Sequence, residues 1–172
     1  SEISGLKNNF NRRIEDFFRN DRKLRLAVIG RVKAGKSTFL NMLIFDGKDV
    51  LPRAFTPKTA TLTKIEYAPE DAIEVEYYST AEWESLEELA KSDSVAEEVV
   101  AAKELVEAVK KSGIDYTVYT QKRKERLTFS SNEALMDTLN RYVGENGAIT
   151  PLVKSVVLYI NRPELEGISI VD

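Results

Sequence analysis

Residues 26–43 read LAVIGRVKAGKSTFLNML, and the order of elements in this stretch decides the fold. Leu24 to Ile29 form a short, mostly apolar run of strand length, Gly30 opens a loop, and Ser37 to Phe45 carry helical spacing until Asp46-Gly47 ends it. Inside it, Gly30-Arg31-Val32-Lys33-Ala34-Gly35-Lys36-Ser37 fits G-x-x-x-x-G-K-[ST] in the strand-loop-helix setting the motif requires. The glycines let backbone wrap closely around phosphate, and the amides at the helix start supply fixed positive potential. Gly30, Lys33, Ala34, Gly35, Lys36, Ser37 and Thr38 are therefore the expected phosphate cradle, with Lys36 reaching the β- and γ-phosphates and Ser37 offering a hydroxyl to Mg²⁺. The motif implies a nucleoside triphosphate and an α/β fold, with the loop at the C-terminal end of the first strand.

Outward from this stretch, the N-terminal positions Ile3, Leu6, Phe10, Ile14 and Phe17 recur every three or four residues and predict an amphipathic helix within residues 1–23. Downstream, Thr61 to Ala68 and Ala72 to Tyr78 alternate around a short polar turn, which predicts an antiparallel hairpin at the sheet edge. Thr80 to Ser112 predict two helices, one with the stripe Trp83, Leu86 and Ala90, the other with Val95, Val99, Ala102, Val106 and Val109. Ser94 with Glu97 reads as the capping box of the second. Ile114 to Tyr119 and Arg126 to Phe129 predict another hairpin, with Gln121 to Arg126 as its solvated tip. Ser130 with Glu133 predicts a helix striped by Leu135, Leu139 and Tyr142. Leu152 to Ile160 and Ile168 to Asp172 predict buried strands, the second ending in a carboxylate placed to hold Mg²⁺ as a Walker B aspartate does. Without the loop at residues 30–37, Asp172 would read as a simple terminal charge.

The 172 residues suit one domain, and 42% apolar with 31% charged residues is a globular balance. No apolar run approaches the about 20 residues of a membrane helix, and no secretory signal is visible, so the expected compartment is the cytoplasm. Cysteine and histidine are both absent, which removes disulfides, thiol nucleophiles, structural zinc and histidine-based acid-base chemistry. The net charge of −3 hides an asymmetry: residues 1–40 carry ten Lys or Arg against four acids, and residues 80–112 carry nine acids against four bases. With the whole chain acidic, nucleic acid is not an expected partner.

The stretch Leu26 to Leu43, followed by Leu51-Pro52 and Thr56-Pro57-Lys58-Thr59-Ala60, resembles the GTPase domain of bacterial dynamin-like proteins. The resemblance spans residues 24–68 and 152–172, with about 79–150 as a family-variable insertion of helices and a hairpin lying outside the sheet. It implies a P-loop NTPase fold with a mixed sheet, here ending after the Walker B strand. It also implies GTP as substrate, Mg²⁺ held by Ser37, Thr59 and Asp172, and a switch I threonine at Thr59, or less directly Thr56. A bland reading also exists for Thr59, as the β-favouring residue before the strand at Thr61. The resemblance further implies a large GTPase coupled to membrane remodelling, a nucleotide-dependent homodimer, contact with membrane through regions outside this sequence, and a peripheral place at the inner face of the membrane. Residues 1–23 would then join a helical bundle beside the GTPase domain, or simply cap the sheet.

The departures are as informative. After Asp172 the family continues into D-x-P-G and a guanine-reading [NT]-K-x-D, so guanine comes from the resemblance and a triphosphate from the loop itself; Asp172 is expected to be a boundary within a longer protein. Where eukaryotic dynamins place Gln and Ser, this chain has Val32 and Lys33. Val32 cannot orient water. Two readings of Lys33 stand: its ammonium supplies positive charge beside the β- and γ-phosphates, joining Lys36 and Thr59 in the chemistry, or it points to solvent. The rivals to the GTPase reading are a small translation- or ribosome-associated GTPase and a non-catalytic nucleotide-binding fragment.

Overall fold

The structure is a computed structural model and describes residues 24–27, 35–51, 61–144 and 147–171. Six strands are described: β1 (Leu24–Ala27), β2 (Thr61–Tyr67), β3 (Ala72–Tyr77), β4 (Lys124–Thr128), β5 (Val153–Ile160) and β6 (Ile168–Val171). The helices are α1 (Lys36–Phe45), α2 (Thr80–Leu89), α3 (Glu97–Ser112), α4 (Tyr116–Lys122) and α5 (Asn132–Val143). The strands form one mixed sheet in the order β1-β6-β2-β5-β3-β4. β1 is parallel to β6 and β2 to β5, while the β2–β6, β3–β5 and β3–β4 pairs are antiparallel.

The pleat separates two faces, because successive side chains alternate across a strand. Ile170, Ile65, Leu158, Ile73 and Leu127 lie side by side in register and form an apolar row. Together with Val156 and Val75 this row joins Leu40 and Ile44 of α1, Val106 and Val109 of α3, and Leu135, Leu139 and Val143 of α5 in one buried cluster. The other face is polar. Ser169, Glu66 and Tyr159 share one register row there, and Lys64, Val157, Glu74 and Arg126 the next. Ser169 Oγ donates to buried Glu66 Oε1 at 3.0 Å, and the Arg126 guanidinium sits 4.7 Å over the Tyr159 ring.

The expected hairpin at 61–78 is opened by β5, which lies between β2 and β3. Local alternation sees only the nearest partner, whereas β5 buries Val153, Val156, Leu158 and Ile160 and pairs with six residues on each side. The link from Ala68 to Asp71 therefore crosses over the end of β5. Ala68 N donates to Ile160 O at 3.1 Å, and Asn161 N to Asp71 Oδ1 at 2.6 Å. Neither β2 nor β3 is an edge strand; β4 holds that place at one side. The insertion is thus not wholly outside the sheet, since its β4 extends it.

The second expected hairpin is also corrected. Asp115 Oδ1 accepts from Thr117 N at 3.0 Å, an N-cap that starts α4 where alternation suggested a strand. Tyr116 and Tyr119, three apart, then share a helix face: Tyr116 lies 5.6 Å from Trp83 and Tyr119 5.2 Å from Tyr77, between ring centroids. Arg123, at φ 63°, turns the chain into β4.

The two helices within Thr80–Ser112 are present, but their caps differ from expectation. The capping box is Ser79 with Glu82, opening α2, while α3 starts at Ala96 with no side-chain cap and Val95 is 92% exposed. α3 instead matches its dipole, with Glu97 and Glu98 in its first turn, Lys110 and Lys111 in its last, and Gly113 at φ 66° closing it. α5 is capped by Ser131, one residue after the expected Ser130, and buries Leu135, Leu139 and Tyr142. Trp83 and Tyr77 are core residues, each 1% exposed.

Candidate functional site

β1 ends at Ala27 and α1 begins at Lys36, so the described structure brackets the phosphate motif with the strand and helix it needs. Gly35 is the N-cap of α1 and adopts φ 84°, ψ 9°, the left-handed region that a side-chain-bearing residue enters only at a cost. The second glycine of the motif is thereby explained by backbone conformation. Its carbonyl accepts from Phe39 N at 2.8 Å and closes the first turn.

No side chain caps this end of α1, and its first turn holds no acidic residue. The free amides and the positive end of the helix dipole are left for an anion. Ser37 is buried and Thr38 exposed, so Ser37 faces inward and Thr38 outward from the start of the helix. Among the described residues no group of three or more acidic side chains is placed to hold a metal. A cation here would lean on the Ser37 hydroxyl and on phosphate oxygens, the oxygen donors Mg²⁺ takes.

Of the remaining expected site residues, Gly30, Lys33, Ala34, Thr59 and Asp172 lie outside the described residues, as does the Lys36 side chain. Residues 1–23 lie outside them too.

One residue with a part in this site went unnoticed in the sequence. Asn41, one turn below Ser37, is 2% exposed. Its Oδ1 accepts from Leu51 N at 2.8 Å and from Val50 N at 3.3 Å, and its Nδ2 donates to Leu51 O at 3.2 Å. Asn41 thus fixes α1 to the root of the segment that leads towards Thr59. The readable signal was a lone amide inside the apolar run LNMLIF, since a buried amide has to be hydrogen-bonded. At the other end of α1, Asp46 closes the helix at φ 53° and accepts from Arg162 Nη2 at 2.8 Å. That bond, with the Arg162 charge, holds the Asp46 carboxyl below its usual range.

The model of the dynamin family matches residues 26–172. A bacterial dynamin-like protein from Nostoc punctiforme is 47% identical over 53 residues, which is 31% of this chain and 7% of that protein. Dynamin-like protein 2 from Campylobacter jejuni is 34% identical over 89 residues, 51% of this chain and 14% of that protein. Two solved structures share the fold over 99% of this chain, with TM-scores of 0.59 and 0.54 at 22% and 20% identity. Both are described as an oligomerised bacterial dynamin pair that provides a mechanism for long-range sensing and tethering of membranes, and the chain covers 26% and 22% of them.

Proposed function

The chain belongs to the dynamin family, and from that premise we propose that it forms the N-terminal part of a GTPase domain that binds and hydrolyses GTP with Mg²⁺. The observation that carries the proposal is the uncapped start of α1 behind the left-handed Gly35, at the end of the motif Gly30 to Ser37. In this reading the α1 amides and Lys36 bind the triphosphate, and Gly30, Lys33 and Ala34 complete the cradle. Ser37, Thr59 and Asp172 would hold the metal. Mg²⁺, when bound, neutralises charge on the phosphate oxygens. Thr59 would orient the γ-phosphate, and Lys33 would add positive charge where negative charge develops. The chain's contribution to hydrolysis is then positioning and charge stabilisation around in-line attack by water.

Guanine specificity rests on the family and not on any residue described. By the same route, and given what is stated of the two structural neighbours, we propose self-association and work at a membrane surface. No helix among the described residues is long and apolar enough to cross a membrane, so contact with the bilayer would be peripheral or made elsewhere in the protein.

The test is equilibrium binding of labelled GTP and ATP, with and without Mg²⁺, to the chain and to any longer polypeptide that carries it, with Lys36→Ala as control. Selective GTP binding that Lys36→Ala abolishes and Mg²⁺ strengthens is the expected result. Equal binding of ATP, or indifference to Lys36→Ala, would remove the reading.

A further inference from the structure

Among the described residues of α1, Ser37 and Asn41 are the buried polar ones, four apart and so on one face of the helix, with Ser37 at the phosphate end and Asn41 one turn below. A leucine at position 41 would gain more from burial, and an amide is tolerated there only where its bonds are made. They are all made to one short piece of backbone. Nδ2 donates to Leu51 O and Oδ1 accepts from Leu51 N, so one planar amide meets both polar groups of a single residue and fixes its orientation as well as its distance. Leu51 is itself buried, in the cluster that holds Leu40 and Ile44 of the same helix.

The turn between Asn41 and Leu51 is closed by backbone bonds of its own. Gly47 N donates to Asn41 O at 3.0 Å, Lys48 N to Phe45 O at 3.0 Å and Val50 N to Lys48 O at 2.9 Å. α1 and residues 46–51 are therefore one packed body, and a close-packed interior passes a shift of one part on to the next. Two readers of phosphate flank that body in the chain. At its start stand the α1 amides, which meet the phosphates that a diphosphate and a triphosphate share. Eight residues beyond Leu51 in the sequence comes Thr59, the residue expected to meet the γ-phosphate, which only the triphosphate carries.

We propose that Asn41 is a positioning residue for recognition of the third phosphate, a role that rests on the GTP reading above. By holding Leu51 it sets the root of the segment that carries Thr59 against the helix that binds the shared phosphates. It acts through Leu51 and not on the nucleotide. Coupling of this kind is reciprocal, so a γ-phosphate should tighten Leu51 on Asn41 by as much as Asn41 favours the γ-phosphate.

The measurement is the affinity of the chain, and of any longer polypeptide that carries it, for fluorescent GDP and for a fluorescent non-hydrolysable GTP analogue, both with Mg²⁺. Asn41→Ala should lower the ratio of triphosphate to diphosphate affinity by roughly tenfold. A purely structural loss does not move this ratio, because a smaller competent fraction weakens both nucleotides alike. Tyr77→Phe, which removes a hydroxyl bond to Glu125 and leaves α1 untouched, should accordingly keep the ratio of the unaltered chain. A second readout needs no variant and decides the matter should Asn41→Ala fail to fold. Exchange of the Leu51 amide, the donor to Asn41 Oδ1, should be slower with the triphosphate analogue than with GDP. A ratio unmoved by Asn41→Ala, or Leu51 exchange that is the same with both nucleotides, would overturn the role of Asn41 and leave GTP binding standing. Binding that is absent, or indifferent to Lys36→Ala, would instead remove the GTP reading and the role of Asn41 with it.

Discussion

Replacing Asn41 by alanine isolates the contact that ties α1 to the root of the segment leading to Thr59. Two backbone groups lose their partner, Leu51 N and Leu51 O, while Val50 N keeps its bond to Lys48 O at 2.9 Å. Val50 is 3% and Leu51 1% exposed, so water reaches them poorly in the folded chain. A buried group left unpaired costs about 1 to 3 kcal/mol, which puts the two together at about 3 kcal/mol. For a domain of this size that corresponds to a fall in Tm of roughly 6 to 12 °C. Urea unfolding followed by Trp83 emission measures it, because Trp83 is the single tryptophan and is 1% exposed when folded. Asn41→Asp sharpens the test. Its ionised carboxylate keeps acceptors for both amides but sets an oxygen against Leu51 O where a donor stood. Protonation restores a donor, so the deficit relative to the unaltered chain should shrink between pH 7 and pH 4. A loss below about 0.5 kcal/mol for Asn41→Ala, or a pH-independent deficit for Asn41→Asp, would refute the reasoning.

Gly35→Ala meets no heavy atom within 4 Å of the new Cβ, so its effect is backbone strain alone, about 1 to 2 kcal/mol by thermal melting, and it should weaken labelled-GTP binding far more than it weakens the fold. Bonds from Lys154 and from the Ser79 backbone bring the Glu82 carboxyl from its ordinary 4.5 down to about 2. The ionised form is favoured on folding, so this stability is complete above pH 4.5 and lost as pH falls towards 2. Because the Glu82 side chain is 40% exposed, screening reduces the contribution to about 1 kcal/mol, and Glu82→Ala should flatten the acid limb of a stability-against-pH curve by that amount. Tyr77 is buried and its hydroxyl donates to Glu125 Oε2 at 2.7 Å; Tyr77→Phe should cost about 1 to 2 kcal/mol in urea unfolding. It should also raise the Glu125 titration seen by NMR, since that carboxyl, pushed up by burial, is held below its usual range by bonds from Lys122 and Tyr77.

How much of this was legible in the sequence depended on how local each determinant is. The strand-loop-helix order around Gly35 and Ser37 was readable because neighbouring residues fix it: an αL glycine, a helix run and an Asp46-Gly47 stop. The Leu135, Leu139 and Tyr142 stripe was readable for the same reason. What escaped was non-local. Nothing in Thr61 to Tyr77 announces that Val153 to Ile160 will separate β2 from β3. Ile114, Tyr116 and Val118 alternate well enough for a strand, and only the Asp115 cap and the packing of Tyr116 and Tyr119 against Trp83 and Tyr77 make the segment helical. Asn41 was visible as a letter but not as a contact, because its partners come from the loop after its own helix.

The split hairpin has a consequence for the order in which the sheet is assembled. Among the described strands, the one that fills its centre follows β1 to β4 in the chain, and β1 pairs with β6, the one most distant from it in sequence. During vectorial synthesis β3, α2 to α5 and β4 emerge as a contiguous stretch in which β3 can pair with β4, while its other side still lacks β5. β1 and β2 must wait, their edges unpaired, until the ribosome has released residues 153–171. A pause anywhere before Val153 would leave β1 and β2 without the partners they have in the folded sheet, and unpaired strand edges invite association with other chains.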